Sequence, residues 1–240
     1  MTKSKAHVKI LLIHTVIFIG LTIISAFVLK NEFYSKAQKA FAEGKYEVFA
    51  HYLNLSGKDH FEVPNDISNI PCKAFDDCKN LKFNEYKGCN YIGNKETPYY
   101  ILVSSSESQD RYEIHPDTAI ICDGAFRGVK AISEFIVPSK NKHFVAIYGT
   151  LYTKDISRLI HYATGKTDAH FDIPETVKAI DSYAFYYDSH LKSVTLPNGL
   201  QSIGEYAFGY SLIESIMILN TAVIIEEGAF SNSSIKTVTN

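Results

Sequence analysis

Five Ala-Phe pairs recur between residues 74 and 230, and their spacing constrains the fold more than any other feature of the sequence. Their phenylalanines are Phe75, Phe126, Phe185, Phe208 and Phe230. The last three are 23 and 22 residues apart, and an isoleucine stands five residues before each of the five. An aliphatic residue stands twelve residues before each Phe, from Val63 in the first segment to Ile218 in the last. Such a short repeat predicts a solenoid, in which each unit buries its apolar side chains by stacking on its neighbours.

Each repeat also carries a strand pattern. Residues 191–196, LKSVTL, have the L-x-x-L-x-L spacing of a leucine-rich repeat strand, and residues 132–137, ISEFIV, repeat it. The apolar members of such a strand point inward, and the intervening residues face the opposite side. Each unit is therefore predicted to supply a strand, a turn and a helical or irregular return that carries the Phe, which makes an α/β repeat solenoid rich in strands.

The segment IPETVKAIDSYAFYYDSHLKSVTLPNGLQSIGEYAF resembles the BspA-type (treponemal-type) leucine-rich repeat family, which occurs on surface proteins of bacteria and some parasitic protists. Residues 88–103 and 143–166 are similar to strand-forming insertions that recur between repeats in this family. They account for the gaps of 51 and 59 residues between successive repeat phenylalanines. We therefore expect residues 61–240 to form a leucine-rich repeat solenoid, with insertions at about 84–112 and 139–170.

The N-terminal region has a composition typical of a membrane span. Residues 10–29 contain no charged side chain, and a helix of 20 residues is about as long as the ~30 Å hydrocarbon core of a bilayer. Lys3, Lys5 and Lys9 precede it and predict a cytoplasmic N-terminus, with the remainder of the chain outside. We expect residues 1–30 to hold a cytoplasmic tip and a transmembrane signal-anchor. A cleaved signal peptide, which would make the protein secreted, and a buried core helix are the alternatives.

Two short helices are predicted after this segment. Ala37, Ala40 and Phe41 lie on one helical face before Gly44, which breaks the pattern. A second apolar face follows, made of Tyr46, Phe49, Ala50 and Leu53. The arrangement is similar to one tetratricopeptide-type hairpin, but a single hairpin does not bury its apolar faces alone. We interpret residues 31–60 as a juxtamembrane helical segment that packs on the next domain.

Charge argues against a nucleic-acid partner. Four of the 24 basic side chains lie in the first 30 residues, so 20 basic and 26 acidic side chains remain in the rest of the chain. Binding to a phosphate backbone needs clustered Lys and Arg, and this part of the chain has an acidic balance. We therefore expect no nucleic-acid partner.

Signatures of catalysis are missing from the sequence. It contains no His-Glu-x-x-His, no Gly-x-Ser-x-Gly and no Gly-rich phosphate loop. His143, His161, His170 and His190 lie in separate segments without a partner four residues away, and we interpret them as surface or hydrogen-bonded side chains. We expect no enzymatic activity, no cofactor and no metal. A hydrolase or metal protein hidden in the insertions is the least favoured alternative.

The four cysteines have no metal-binding spacing. If the chain is exported, a disulfide among Cys72, Cys78 and Cys89 is possible, although the sequence does not fix the connectivity, and Cys122 lies further along. Cys78 is the third residue after Phe75, where repeats of this family commonly carry a core cysteine. The resemblance therefore implies a structural role for Cys78.

The strand positions outside the core form the candidate ligand-binding surface, because the exposed side of the strands usually binds the ligand in leucine-rich repeats. These positions are Glu134, Ile136, Lys192, Ser193, Thr195, Glu214, Ser215, Met217, Lys236, Thr237 and Thr239. Ordinary solvent-facing strand positions are the alternative interpretation. The tyrosines of the insertions, which serve equally well as strand residues, form a second candidate surface. They are Tyr91, Tyr99, Tyr100, Tyr148, Tyr152 and Tyr162.

The resemblance implies a non-catalytic protein of the cell surface that binds a protein or glycan ligand, in the manner of an adhesin. Residues 10–29 add the expectation that it is anchored in the membrane. The last repeat reaches Asn240 without a polar cap. A partner that covers this end, a scaffold role within a surface complex and a truncated gene product are therefore open alternatives.

Overall fold

The computed structural model describes residues 3–63, 70–106, 109–217 and 223–239, with the side chains of residues 3–21, 72 and 237–239 outside the description. The chain divides into two compact units. The first comprises Met1–His60 and Lys73–Leu81, and the second comprises Phe61–Cys72 and Lys82–Asn240.

The first unit is helical. Helix α1 spans Lys3–Ala42 and helix α2 spans Tyr46–Ser56, with the predicted break at Gly44 between them. Helix α2 ends at Gly57, whose φ of +67° is a left-handed conformation that residues with a Cβ seldom adopt. The predicted pattern of a helix, a break and a second helix is therefore present.

The core of the first unit includes the first Ala-Phe pair. A 3-10 turn, Cys72–Phe75, carries this pair. The ring of Phe41 lies 4.9 Å from that of Phe49 and 5.6 Å from that of Phe75, measured between centroids. The two helices thus bury their apolar faces against the first repeat phenylalanine, which supplies the packing surface that a lone hairpin lacks.

Helix α1 contains the predicted transmembrane segment, residues 10–29, but it differs from the prediction. It continues without a break through residues 30 and 31, where a boundary was expected, and its later turns carry Lys30, Glu32, Lys36 and Lys39. Within the described part of the chain, no helix combines the length and the apolar character that crossing a membrane requires. The prediction of an N-terminal transmembrane helix is therefore not supported.

The second unit is built from short strands joined by turns. In chain order they are β1 (Asn84–Tyr86), β2 (Cys89–Ile92), β3 (Ile101–Ser105), β4 (Arg111–Glu113), β5 (Ile120–Ile121), β6 (Glu134–Ile136), β7 (Phe144–Ile147), β8 (Thr150–Thr153), β9 (Arg158–His161), β10 (His170–Asp172), β11 (Ala179–Ile180), β12 (Ser193–Thr195), β13 (Ser202–Ile203), β14 (Ser215–Met217), β15 (Ile224–Ile225) and β16 (Thr237–Thr239). The predicted repeat solenoid and its strand-forming insertions are confirmed.

The α/β assignment, in contrast, is wrong for the repeats. Among the described Ala-Phe segments, the 3-10 turn Cys72–Phe75 is the one helical return. The later returns are turns, because residues on both sides of the repeat Phe have left-handed backbone conformations that interrupt a helix. Around Phe185, for example, Tyr183 and Tyr187 have φ values of +63° and +61°. The solenoid is therefore a strand-rich fold.

Each repeat contributes one strand to each of two parallel ladders. One ladder runs in the order β10–β12–β14–β16, and the other contains β11, β13 and β15. The second insertion folds as an antiparallel meander, β7–β8–β9, and its last strand pairs in parallel with β11. The first insertion repeats this design, since β1–β2–β3 is an antiparallel meander whose last strand pairs in parallel with β5.

The phenylalanines of the last three repeats form a continuous aromatic stack. The centroids of Phe185 and Phe208 are 4.8 Å apart with 11° between the rings, and those of Phe208 and Phe230 are 5.4 Å apart with 13°. Tyr162, from the second insertion, continues the stack 5.1 Å from Phe185. The core around the stack contains the predicted strand residues Leu191, Val194 and Leu196. It also contains the isoleucines that precede Phe185 and Phe208 by five residues, Ile180 and Ile203. Ile225, in the edge strand β15, is 50% exposed.

A buried ion pair fixes the second insertion on the repeats. Arg158 of β9 donates from Nε and Nη2 to the carboxylate of Asp181, over 3.0 and 2.9 Å. Asp123 lies 3.7 Å from the same guanidinium. Burial raises the pKa of Asp181, and Arg158 opposes this shift. A shifted register between β9 and β11 would separate Arg158 from Asp181 and leave uncompensated charges in the interior. The ion pair therefore also fixes this register.

The described cysteines lie in the core. Cys78 and Cys89 are buried free thiols, so no disulfide joins them, and Cys122 is buried as well. Burial raises the pKa of both Cys78 and Cys89 to about 12, which keeps the thiols protonated. The predicted core position of Cys78 is confirmed. The side chain of Cys72 lies outside the described residues.

We predict that Phe208→Ala lowers the free energy of unfolding by about 3 to 5 kcal/mol, because it opens a cavity in the middle of the stack. Chemical denaturation followed by circular dichroism measures this change. Tyr148→Ala is the control, since Tyr148 is 88% exposed and its loss is expected to cost less than about 1 kcal/mol. Equal destabilisation by the two substitutions would contradict the stacked core.

His161 gives the fold a dependence on pH. Its ring is buried between Phe126 and Phe135, at centroid distances of 5.7 and 5.6 Å, and Nδ1 lies 2.6 Å from the carbonyl oxygen of Tyr162. Burial lowers the pKa of His161 from 6.5 to about 4. The unfolded chain therefore binds a proton that the folded chain does not bind between these two pH values.

We predict that His161→Gln removes part of the acid sensitivity of the protein. The pKa of His161 is lower in the folded chain than in the unfolded chain. Its titration therefore leaves stability unchanged above pH 6.5 and lowers the free energy of unfolding as pH falls toward 4. Relative to the variant, the wild type should lose on the order of 2 kcal/mol between pH 7 and pH 4.5, as measured by denaturation at both pH values. His190→Gln, at an exposed histidine, should keep the wild-type slope.

Candidate ligand-binding face

The outward side of the ladder β10–β12–β14–β16, here called the strand face, places polar side chains in rows. The register pairs Ser193 with His170 on one side and Ser215 on the other, and it pairs Thr195 with Asp172 and Met217. Val194 and Ile216, which lie between these positions, are buried in the core. Because parallel strands lie about 4.8 Å apart, each row presents one side chain per repeat at that spacing. Thr237 and Thr239 hold the next register positions, with side chains outside the described residues.

Four side chains on this face form a hydrogen-bonded cluster. His170 lies 2.7 Å from Ser193 Oγ through Nδ1 and 2.9 Å from Asp172 Oδ1 through Nε2. An ionised Asp172 only accepts hydrogen bonds, so Nε2 of His170 donates to it, while Nδ1 of the same ring contacts the Ser193 hydroxyl. Thr195 also hydrogen-bonds Asp172, and the bonds from His170 and Thr195 hold the pKa of Asp172 below its usual range. Each polar group is thus held in a defined orientation.

A charged row borders the strand face. Glu214 lies between two lysines, with Lys236 Nζ 3.0 Å from Oε2 and Lys192 Nζ 3.7 Å from Oε1. The two lysines lower the pKa of Glu214, and Lys236 has the larger effect. Each of these residues directly precedes a strand. The backbone N–H of Glu214 donates to the carbonyl oxygen of Lys192, and that of Lys236 donates to the carbonyl oxygen of Glu214, so the three stay aligned.

The structure separates the predicted candidates into two groups. Ser193, Thr195, Ser215 and Met217 share the strand face, and Lys192 and Glu214 border it. The other two, Glu134 and Ile136, lie elsewhere. Those two belong to β6, which pairs with β4 in a different sheet, where Glu134 forms an ion pair with Arg111. The cause is the second insertion, which stands between β6 and β10 in the sequence and starts a new ladder. The predicted positions therefore belong to two different sheets, and their role in ligand binding stays a prediction.

Two members of the cluster were missed from the sequence. His170 and Asp172 lie on β10, whose segment, TDAHFDI, has no leucine at the first position of the L-x-x-L-x-L pattern. Two signals identify this strand. Ile173 is the aliphatic residue twelve positions before Phe185, and polar and apolar residues alternate before it.

The tyrosines of the insertions do not form one surface. Tyr91, Tyr152 and Tyr162 are buried, so they support packing and are not available to a ligand. Tyr148, in contrast, is 88% exposed at the tip of the β7–β8 hairpin. Over the described residues, no group of three or more His, Cys, Asp or Glu side chains is placed to hold a metal ion.

Ser193, His170 and Asp172 have the hydrogen-bond order of an activated serine. The surroundings, however, do not suit catalysis. The side chains of His170 and Asp172 are 49% and 75% exposed, so water reaches both groups. Stabilising an oxyanion requires free donors in a site that excludes water. The cluster is therefore suited to hydrogen-bonding a ligand.

Comparisons with solved structures give three related folds. The pneumococcal vaccine antigen PcpA is 25% identical, with a TM-score of 0.47 and coverage of 69% of this chain and 40% of that one. A leucine-rich repeat protein from Eubacterium ventriosum is 20% identical, with a TM-score of 0.49 and coverage of 78% and 60%. A leucine-rich cell surface protein from Faecalibacterium prausnitzii is 20% identical, with a TM-score of 0.47 and coverage of 75% and 59%. The matches extend over 40% to 60% of those proteins.

A search of curated proteins gave no match. The family model for the BspA type leucine rich repeat region matches residues 42–147 and 154–240, in six copies. These ranges cover well over half of the chain and include the repeat segments from which the resemblance was inferred. The chain belongs to the BspA-type leucine-rich repeat family.

Proposed function

We propose that this protein is a non-catalytic binding protein of the cell surface, and that it engages a protein or glycan ligand through the strand face. The observation that carries this proposal is the cluster of His170, Asp172, Ser193 and Thr195. These side chains come from two adjacent strands, and their hydrogen bonds hold them in fixed positions on an accessible surface. A ligand that meets them encounters oriented donors and acceptors, which reduces the entropy lost on binding.

The charged row extends the surface. Glu214 and its two lysines give alternating signs along the ladder, a pattern that favours one orientation of a polar ligand. Met217, which is exposed beside Thr195 in register, adds an adaptable apolar contact. Polar groups with a small apolar component suit the surface of a protein or of a glycan.

Family membership supports a location outside the cytoplasm, because repeats of this type occur on surface proteins. The proposed binding role depends on the strand face and is independent of how the chain is held at the surface.

The test is a binding screen with the full chain against extracellular-matrix proteins, a glycan array and whole cells. We predict that His170→Ala/Thr195→Val weakens binding to any ligand of the strand face at least tenfold. The variant removes hydrogen bonds to a charged carboxylate, which are worth about 1.5 to 3 kcal/mol. Surface plasmon resonance measures the change.

Lys154→Ala, at an exposed position on the second insertion, is the matched control and should bind like the wild type. Equal binding by His170→Ala/Thr195→Val and the wild type would remove the strand face from the proposal. Binding that is instead sensitive to Ile136→Thr would transfer the function to the sheet that contains β4 and β6.

A further inference from the structure

Four tyrosines occupy turn positions at which the backbone does not favour them. They stand two residues before and two residues after the phenylalanines of the third and fourth repeats. Their φ values are +63° for Tyr183, +61° for Tyr187, +52° for Tyr206 and +55° for Tyr210. Residues with a Cβ are strained in this left-handed region, and bulky ones are uncommon there.

Other repeats place different residue types at the same positions. Two residues before the repeat Phe, Gly124 and Gly228 have φ values of +70° and +67°. Two residues after it, Asn232 has a φ of +55°. Glycine and asparagine are the residues that tolerate this conformation. The turn therefore forms without tyrosine, and the reason for the tyrosines must lie in their side chains, since strained positions often mark functional sites.

The rings form one cluster, here called the tyrosine platform, made of Tyr183, Tyr186, Tyr187, Tyr206 and Tyr210. Tyr183 stacks on Tyr206 with 5.6 Å between centroids, and Tyr187 packs on Tyr210 at 5.1 Å. Tyr186 packs edge-to-face against both pairs, with its ring centroid 5.1 Å from that of Tyr183 and 5.6 Å from that of Tyr210. The platform is a pre-ordered array from two adjacent repeats.

A glycine makes room for the central ring. Gly209 is the position equivalent to Tyr186 in the next repeat, 23 residues later. A Cβ on Gly209 would lie 3.0 Å from the ring atoms of Tyr186, closer than a side chain is normally accommodated. The fourth repeat therefore lacks a side chain where the third repeat places its ring.

The platform is partly accessible. Tyr210 is 42% exposed, Tyr186, Tyr187 and Tyr206 are half-buried, and Tyr183 is buried, so four of the five side chains reach the surface. Burial raises the pKa of Tyr186 to about 12, which keeps that phenol uncharged at physiological pH. Lys130 lies beside the array, with Nζ 5.0 Å from the centroid of Tyr187.

We propose that the tyrosine platform is a second ligand-binding site, separate from the strand face, and that it takes a neutral oligosaccharide of two or three sugar units. A sugar ring has apolar C–H faces and a rim of hydroxyls, and tyrosine offers an apolar ring together with a hydroxyl that donates and accepts. Rings that are already packed lose little further freedom when the ligand binds.

The size of the platform favours a small ligand over a protein. A stable protein interface buries about 800 Å² per partner and involves some 20 to 30 residues on each side. The platform has five residues from two repeats, with ring centroids of stacked pairs 5.1 and 5.6 Å apart. This extent matches a short run of sugars.

The test uses the full chain and a panel of neutral trisaccharides: cellotriose, chitotriose, maltotriose, xylotriose, laminaritriose and mannotriose. Saturation-transfer NMR detects binding. The chain has 16 tyrosines and no tryptophan, so its intrinsic fluorescence reports on tyrosine directly and gives the affinity. We expect at least one trisaccharide to bind and to change the tyrosine fluorescence.

The decisive variant is Tyr187→Asn/Tyr210→Asn, which introduces the residue that the protein itself uses at position 232. It should melt at the wild-type temperature or above, because the backbone strain is relieved, and bind the trisaccharide at least tenfold more weakly. Tyr187→Phe/Tyr210→Phe keeps the packed rings and loses two hydroxyls. This second variant should fold normally and bind severalfold more weakly, which provides a test even if the asparagine variant is unstable.

The strand-face variant His170→Ala/Thr195→Val should bind the trisaccharide like the wild type, so failure of the strand-face proposal and failure of this one are distinguishable. The platform proposal is overturned if none of the six trisaccharides binds, or if the asparagine and phenylalanine variants both bind like the wild type. A proline-rich peptide or a protein that binds at these tyrosines while the sugars do not would also overturn the assignment.

Discussion

Face-to-face stacking of one aromatic ring per repeat is the interaction on which the last three repeats of the second unit depend. Phe185, Phe208 and Phe230 lie almost parallel, and each ring covers a face of the next. A single repeat exposes this ring on both sides, so it gains most of its burial only when neighbours are present. The stack also fixes the translation from one repeat to the next, and with it the register of both ladders. The rows on the strand face are a consequence of this geometry.

The core was predictable because its residues recur at fixed distances from the Ala-Phe pairs. The isoleucines five residues before Phe185 and Phe208 are buried as their periodicity indicates. The second ladder was not predictable in the same way, because β11, β13 and β15 have two residues each, and alternation has no meaning over two positions. The choice between a helical and an irregular return stayed open for a similar reason, since a left-handed Tyr183 leaves no signature in a sequence.

The candidate site was only partly accessible to sequence reasoning. Ser193 and Thr195 were found because they alternate with core residues of a well-formed repeat. His170 was seen as a histidine but not as part of the face, since its contact with Ser193 spans 23 residues and depends on the register. Glu134 was grouped with the others because the pattern of β6 looks the same, although an insertion places it in a different sheet. Local pattern thus predicts strands well, but it does not predict which strands become neighbours.

The two insertions follow one plan, with an antiparallel meander whose last strand pairs in parallel with the two-residue strand of the following repeat. A run of repeats normally begins with an exposed edge, which invites unwanted pairing. Here β3 and β9 each give the repeats behind them a first strand that is already paired on its other side. A meander and the repeats that follow it therefore behave as a cassette. Proteins of this design can change length by whole cassettes, with a protected starting edge for each one.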